Sequence, residues 1–491
     1  MTTSFTLLDW FIVLLYVGGV TLFGIIKGGR QTSAKDYFLS ETKIRWWVVA
    51  FAVVATETSA LTFISVPGLA YLGNLNFLQL AFGYLLGRIF IAIYFLPRYY
   101  AGELTTAYAM IERRFGTRLR KLTSLVFMVT RTLGDGVRLY ALAIPITLIF
   151  RGYNLFSGSS DTEIYFWAIL LTSAATVIYV QLGGVRAVIW TDVIQLFVYL
   201  FGAAVAIVIL IQHAPSFSAA FQPAMDKGKL AVFNFSTENF FSSPYQFFLA
   251  VIGGAFLSAA SHGTDYLIVQ RLFATENLKD SQRAIVASGV LIIVQFAIFL
   301  CVGLLLYGFY QGAAIKGDEV FARFIIEQVP SGFSGLIVAA LIAAAMSSHS
   351  GSVNSLASST VFDFYASTTS GKAASEAKKL KIAKAVSLAW AIVLTVSALL
   401  FIGLGRSVVE VALSIASFTY GGLLGVFLLA VFFKSIDETS VIIGFFIGIA
   451  VMIGVITQTK IAWTLYTVIG STATILFAVL ASRFQMRKAG I

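Results

Sequence analysis

Residues 52–71 read AVVATETSALTFISVPGLAY. The stretch is apolar and long enough to enter a bilayer, for which a helix needs about 20 mostly apolar residues. Yet it gathers Thr56, Glu57, Thr58, Ser59 and Thr62 near its centre, followed by Pro67 and Gly68. Ser and Thr hydroxyls compete for backbone hydrogen bonds and Pro lacks a donor, so the pattern predicts a broken or unwound helix. An unwound turn frees carbonyl oxygens, hard ligands suited to Na⁺. A kinked helix with Ser and Thr at a packing interface gives a similar pattern. Glu57 moves the reading towards a ligand site, because an ionisable group at membrane depth costs at least ~2.5 kcal/mol on insertion scales.

The whole chain carries the same signature. Of its 491 residues, 58% are hydrophobic and 12% charged, and its 44 Phe are spread along the length. A soluble domain needs about 25% charged residues to wet its surface. Soluble enzyme, nucleic-acid module, disordered chain and secreted disulfide scaffold are therefore excluded as whole-chain descriptions. A single cysteine, Cys301, lies in an apolar run and forms no intrachain disulfide. With His213, His262 and His349 the only histidines, no structural metal site is expected. The first apolar run starts at Leu7 with no basic stretch before it, so the first helix is expected to stay rather than act as a signal peptide.

Windows of bilayer length predict thirteen spans, from 7–26 to 462–482, including 46–72, 122–149, 164–183, 247–270 and 334–362. An odd count puts the termini on opposite sides. Of the 34 Lys and Arg, 24 then fall on one side, seven on the other (Arg406 among them), and three inside spans. That bias places the N-terminus outside and the C-terminus in the cytoplasm of a cell-membrane protein. The net charge of +11 reports topology, not a nucleic-acid partner. Of the longer connections, 213–246 is external, and the Ser/Thr/Lys-rich 363–382 is cytoplasmic and expected to be flexible.

Ionisable residues inside the spans are few: Glu57, Arg88, Arg131, Asp135, Arg138, Asp192, Asp265 and Glu410. Three more segments are locally odd. VIGGAFLSAASHGTDYLIVQR (251–271) is a second weak helix, carrying Ser261 and His262. His262 is read equally well as a satisfied core residue or as part of a site. Two interrupted helices five spans apart cross in opposite directions, which points to an inverted-repeat transporter with a midplane site. AALIAAAMSSHSGSVNSLASS (339–359) clusters Ser347, Ser348 and Ser350 near Ala344, with residues 347, 350, 351 and 354 on one face. Small-residue helix packing explains it as well as a cation site does. Asp192 follows the Gly183-Gly184 break, where it could balance a cation or pair with Arg186.

At these residues the chain resembles the sodium/solute symporters, relatives of the sodium–glucose, sodium–proline and sialic acid transporters. The matching segments are ATETSALTF (55–63), GGVRAVIWTDVIQ (183–195), TDYLIVQR (264–271) and AAAMSSHSGSVNS (343–355), in the family's order. The resemblance implies an all-α polytopic membrane protein of the LeuT type, two inverted five-helix repeats with flanking helices. Applied to this chain, that gives an N-terminal flanking helix and loop (1–45), a first repeat (46–212), an external loop (213–246), a second repeat (247–433) and two C-terminal helices with a short tail (434–491). The family's shared sodium site carries over to the backbone of Ala55, Thr58 and Ala344 and the side chains of Ser347 and Ser348. A second sodium site found in some members matches at Asp192, Ser347 and Ser350 but meets Gly351 where those members carry Ser.

Substrate positions match less well. Candidates are Glu57, Ser59, Thr62, Gln79, Arg131, Asp135, Ser261, His262, Ser414 and Ser417. Glu57 could accept hydrogen bonds from a polyol or sugar, bind a cation, or pair with Arg131. The expectation is Na⁺-coupled symport of a small polar solute by alternating access, a sugar or polyol first and a sugar acid, other carboxylate or amino acid second. Sodium is the coupling ion and the lipid bilayer the surroundings, with no nucleic acid and no obligate protein partner. A channel, a solute-gated sensor and a membrane enzyme are rivals. No filter-like repeat, signalling domain or catalytic cluster in the sequence favours them.

Overall fold

The computed structural model describes residues 5–39, 43–101, 106–152, 158–402 and 408–488, so Arg406 lies outside the described residues. Among these the chain is helical throughout, without a strand. A lone bridge between Ile44 and Thr275 ties two connections together. The helices that build the bundle are α1 (Leu7–Gly28), α2 (Trp46–Glu57), α3 (Ala60–Leu72), α4 (Leu78–Phe90), α5 (Thr117–Gly152), α6 (Asp161–Gln212) and α7 (Phe247–Gly263). They continue with α8 (Tyr266–Leu272), α9 (Leu278–Tyr310), α10 (Phe333–Ser359), α11 (Glu376–Leu399), α12 (Val408–Phe432), α13 (Glu438–Gln458) and α14 (Tyr466–Lys488).

Among the described residues nine helices are long and apolar enough to cross a membrane, or eleven if each of two bent pairs is one span. The expected count of thirteen is not established by that measure. The windows left over, 122–149 and 164–183, lie on α5 and on the first leg of α6. The former carries Arg131, Asp135 and Arg138 in mid-helix. The latter runs into the next span across a kink at Gly184.

Two bent pairs interrupt the bundle. α2 and α3 meet at 64° and α7 and α8 at 66°. The first break is at Thr58 and Ser59, both extended, with ψ of 105° and 173°. Pro67 does not make this break, because α3 runs through it. The second break is capped by Asp265, whose Oδ1 accepts from the Leu267 amide at 2.8 Å. A carboxylate at a helix N-terminus meets both the free amides and the positive end of the dipole.

At the centre stands α10, in which nearly every residue is buried. It packs against α1, α2, α5, α6 and α11, with the most extensive contact on α6. Ala and Ser dominate it, which lets neighbouring helices approach closely. The 213–246 connection is held down: the Lys229 ammonium donates to the carbonyls of Tyr71 and Gly73, both at 2.8 Å. The 363–382 segment, expected to be flexible, forms helical turns at Tyr365–Ser367 and Thr369–Ala373. Buried Asp363 anchors it by accepting from Thr106, Arg120 and Ser124.

Candidate solute and sodium sites

The breaks in α2–α3 and α7–α8 border one cavity, together with α4, α5, α9 and α12. Its lining includes Thr56, Glu57, Ser59, Thr62, Tyr84, Arg131, Arg138, Ser261, His262 and Tyr420. The cavity volume is about 100 Å³. One water needs ~10–15 Å³, so the space suits several waters or one small solute.

Six of the ten expected solute residues line this cavity: Glu57, Ser59, Thr62, Arg131, Ser261 and His262. The other four are placed elsewhere. The Gln79 amide donates to the Asn76 and Tyr245 carbonyls and accepts from the Asn234 amide, fastening the 213–246 connection. Asp135 lies behind the lining, 3.5 Å from Arg131 and 3.2 Å from Arg138. Ser414 and Ser417 miss the lining, because α12 presents Val409, Ala412, Leu413, Ala416 and Tyr420 to it instead.

The charges pair differently from expectation. Glu57 binds Arg88 on α4, not Arg131. Arg88 also donates to Ser288 Oγ at 2.7 Å and meets His262 Nε2 at 3.0 Å. A guanidinium only donates, so Nε2 accepts, and the Nδ1 proton then points to Ser261 Oγ at 2.8 Å. His262 thus holds a site charge in place. Arg131 is claimed by Asp265, which also takes the Tyr420 hydroxyl. Arg138 is freer: its side chain is 25% exposed, and among the described residues its one ion pair is with Asp135.

A second cluster lies where α2, α6, α8 and α10 meet. Asp192 accepts from Ser347 Oγ at 2.6 Å through Oδ1, and Thr56 Oγ1, which donates to the Ala52 carbonyl at 2.7 Å, lies 3.2 Å from its Oδ2. Arg271 donates to the same Oδ2 from Nη2 at 2.8 Å and Nε at 3.2 Å. Arg186 is not the partner, since six residues put it about 120° round the helix from Asp192. Ser348 Oγ approaches the Thr56 carbonyl at 3.5 Å, at the end of α2, where the last carbonyls lose their helical partners. Thr58 Oγ1 donates to the Val54 carbonyl and accepts from Gln295. Ser350 Oγ turns back onto the Ser347 carbonyl at 2.9 Å. Ala55 and Ala344 are fully buried at this junction of helices.

Sequence reasoning singled out Arg88 and Arg138 as charges at membrane depth without giving them a role in the site, and it missed Arg271 and Gln295. Arg88 and Gln295 are isolated polar residues in apolar runs, a usable signal. Arg271 gave none, because it falls at the end of its span and reads as a loop charge.

The family model for the sodium:solute symporter family matches residues 37–448. The chain belongs to the sodium:solute symporter family. It is 28% identical to the sodium/sialic acid symporter NanT of Aliivibrio fischeri, across 98% of this chain and 94% of that protein. Similarity to the mouse sodium-coupled monocarboxylate transporter 2 is 26%, across 88% of this chain and 68% of that one. Among solved structures, a substrate-bound outward-open Na⁺-coupled sialic acid symporter superposes with a TM-score of 0.86 at 24% identity, covering 98% of both chains. The fold is thus of the LeuT type, and this symporter is a multi-pass, sodium-coupled membrane transporter, not an enzyme.

Proposed function

We propose that this symporter carries a small organic anion, a sugar acid or another carboxylate, into the cell together with Na⁺. The observation that carries this reading is Arg138, which lines the cavity with a single ion-pair partner among the described residues, at 3.2 Å. Arg88 and Arg131 are already engaged by carboxylates of the protein. The named substrates of similar proteins, sialic acid and monocarboxylates, support the same chemistry. This replaces the sugar or polyol first expected. Glu57 is already charge-paired with Arg88 through Oε2.

Sodium is assigned to the backbone of Ala55, Thr58 and Ala344 and the hydroxyls of Ser347 and Ser348, between α2 and α10. Thr56 and Ser59 connect that place to the cavity, so an ion that stiffens the break also shapes the solute pocket, and each ligand favours the other by the same factor. The units 46–212 and 247–433 are assigned as the two inverted repeats, with the Lys/Arg-rich end cytoplasmic. Any net charge moved gains about 2.3 kcal/mol per 100 mV of inward potential, close to fifty-fold in accumulation.

The test is uptake of radiolabelled sialic acid, pyruvate and glucose into proteoliposomes with and without an inward Na⁺ gradient. Sodium-driven uptake of an acid is expected, with Arg138→Gln lowering it about tenfold or more while sodium binding persists. Uptake of glucose alone, or flux indifferent to sodium, would overturn the proposal.

A further inference from the structure

Asp192 is enclosed by donors of the protein. Ser347 donates to one carboxylate oxygen and two nitrogens of Arg271 donate to the other, while the Thr56 hydroxyl, which donates to the Ala52 carbonyl at 2.7 Å, lies 3.2 Å from it. Both charged side chains are essentially inaccessible, at 1% for Arg271 and 0% for Asp192. Arg271 is further fixed by donating from Nη1 to the Leu267 carbonyl at 2.9 Å. Its guanidinium lies directly against Gly351: a Cβ there would sit 2.6 Å from Nη2 and 2.9 Å from Leu267 Cδ1. Any side chain at 351 would have to displace a group held by three hydrogen bonds. Gly351 and Arg271 are therefore a matched pair, one removing a hydroxyl and the other filling the space with fixed positive charge. Ser350 completes the picture, since its hydroxyl bonds its own helix and not Asp192.

We infer that Arg271 is a built-in countercharge that takes the place of a second sodium ion at Asp192, so that this symporter couples one Na⁺ to each solute. The inference rests on the sodium assignment above and extends it to stoichiometry. A guanidinium tethered to α8 neutralises Asp192 in every state in which the pair persists, yet it cannot be transported. With a singly charged anion as solute, one Na⁺ makes the cycle electroneutral. Uptake then follows the sodium gradient and ignores membrane voltage. Arg271 acts here as a positioning residue and touches no solute.

Equilibrium binding of radioactive sodium to the purified full chain, without solute, tests this directly. Wild type is expected to bind one ion per chain, and Arg271→Lys also one. Arg271→Gln combined with Gly351→Ser frees Asp192 and restores a hydroxyl, and is expected to bind two. In proteoliposomes, a potassium diffusion potential is expected to leave wild-type uptake of a monocarboxylate unchanged and to accelerate it in the double variant. Two ions in wild type, or one in a double variant that keeps its thermal transition, would overturn the countercharge. Should the double variant not fold, the wild-type ion count decides alone. No bound ion in wild type would instead sink the sodium site itself, and glucose-only uptake would sink the anion reading while leaving the ion count standing.

Discussion

Glu57 and Arg88 illustrate what a buried ion pair does in this molecule. Neither charge could be left alone at this depth, and Arg88 has no accessible side-chain surface. Removing one partner strands the other, which typically costs about 3–5 kcal/mol, whereas removing both often costs little. Glu57→Gln is therefore expected to lower the thermal transition markedly, and Arg88→Gln in the same chain to recover much of the loss. A double-mutant cycle of detergent melting curves reads the coupling. Independent, additive losses would mean that Glu57 and Arg88 do not act as a pair. The sodium residues behave differently. Ser348→Ala is expected to keep the fold and raise the sodium concentration for half-maximal uptake about tenfold, the worth of roughly one hydrogen bond. An unchanged sodium dependence would remove Ser348 from the site.

Elements are interrupted where the site needs them to be, and each interruption has a local cause. Thr58 and Ser59 leave the helix between α2 and α3. Asp265 restarts it after Thr264, and Gly184 turns α6 with a φ of +59°. Only the last depends on the absence of a side chain. A Cβ at 184 would adopt a strained backbone and lie 2.7 Å from the Tyr37 carbonyl. Gly184→Ala is expected to destabilise by more than the ~1 kcal/mol of the backbone strain alone. Loss of expression in the folded fraction, or a lowered melting temperature, would register it. An unshifted melt would show that the two legs of α6 can straighten.

Across the whole molecule, one end is latched by charge. Arg120 joins Glu112 to Asp363, and Arg114 donates to the carbonyls of Phe433, Lys434 and Ile436. Burial pushes the Glu112 carboxyl up, but bonds from Arg120 and Thr117 outweigh it and hold the group below its usual value. A carboxylate held low stabilises the fold above its unfolded pKa. It loses that contribution as pH falls below the usual carboxylate range and through the lower folded value. Since the chain has a single cysteine, a Cys301→Ala background isolates a reporter such as Ser355→Cys on α10. Arg120→Ala is expected to speed its labelling by a soluble maleimide several-fold in proteoliposomes. Unaltered labelling would show that the latch does not govern access.

The residues themselves were enough to say that this chain lives in lipid, that two of its helices are broken, and which hydroxyls cluster on α10. Composition and hydrogen-bonding chemistry are local properties, and they act before any tertiary contact exists. Resemblance in four short segments then carried the family. Partner choice was not legible. Glu57 could have reached Arg131 as far as spacing goes, and Asp192 could have paired with Arg186. Pairing depends on which helix faces which, and only the packed bundle sets that. Arg271 is the sharpest case. In the sequence it is one of 24 basic residues that report topology. In the folded bundle it is sealed against Asp192 and Gly351, because the bend after α7 carries the short α8 inward beside α10.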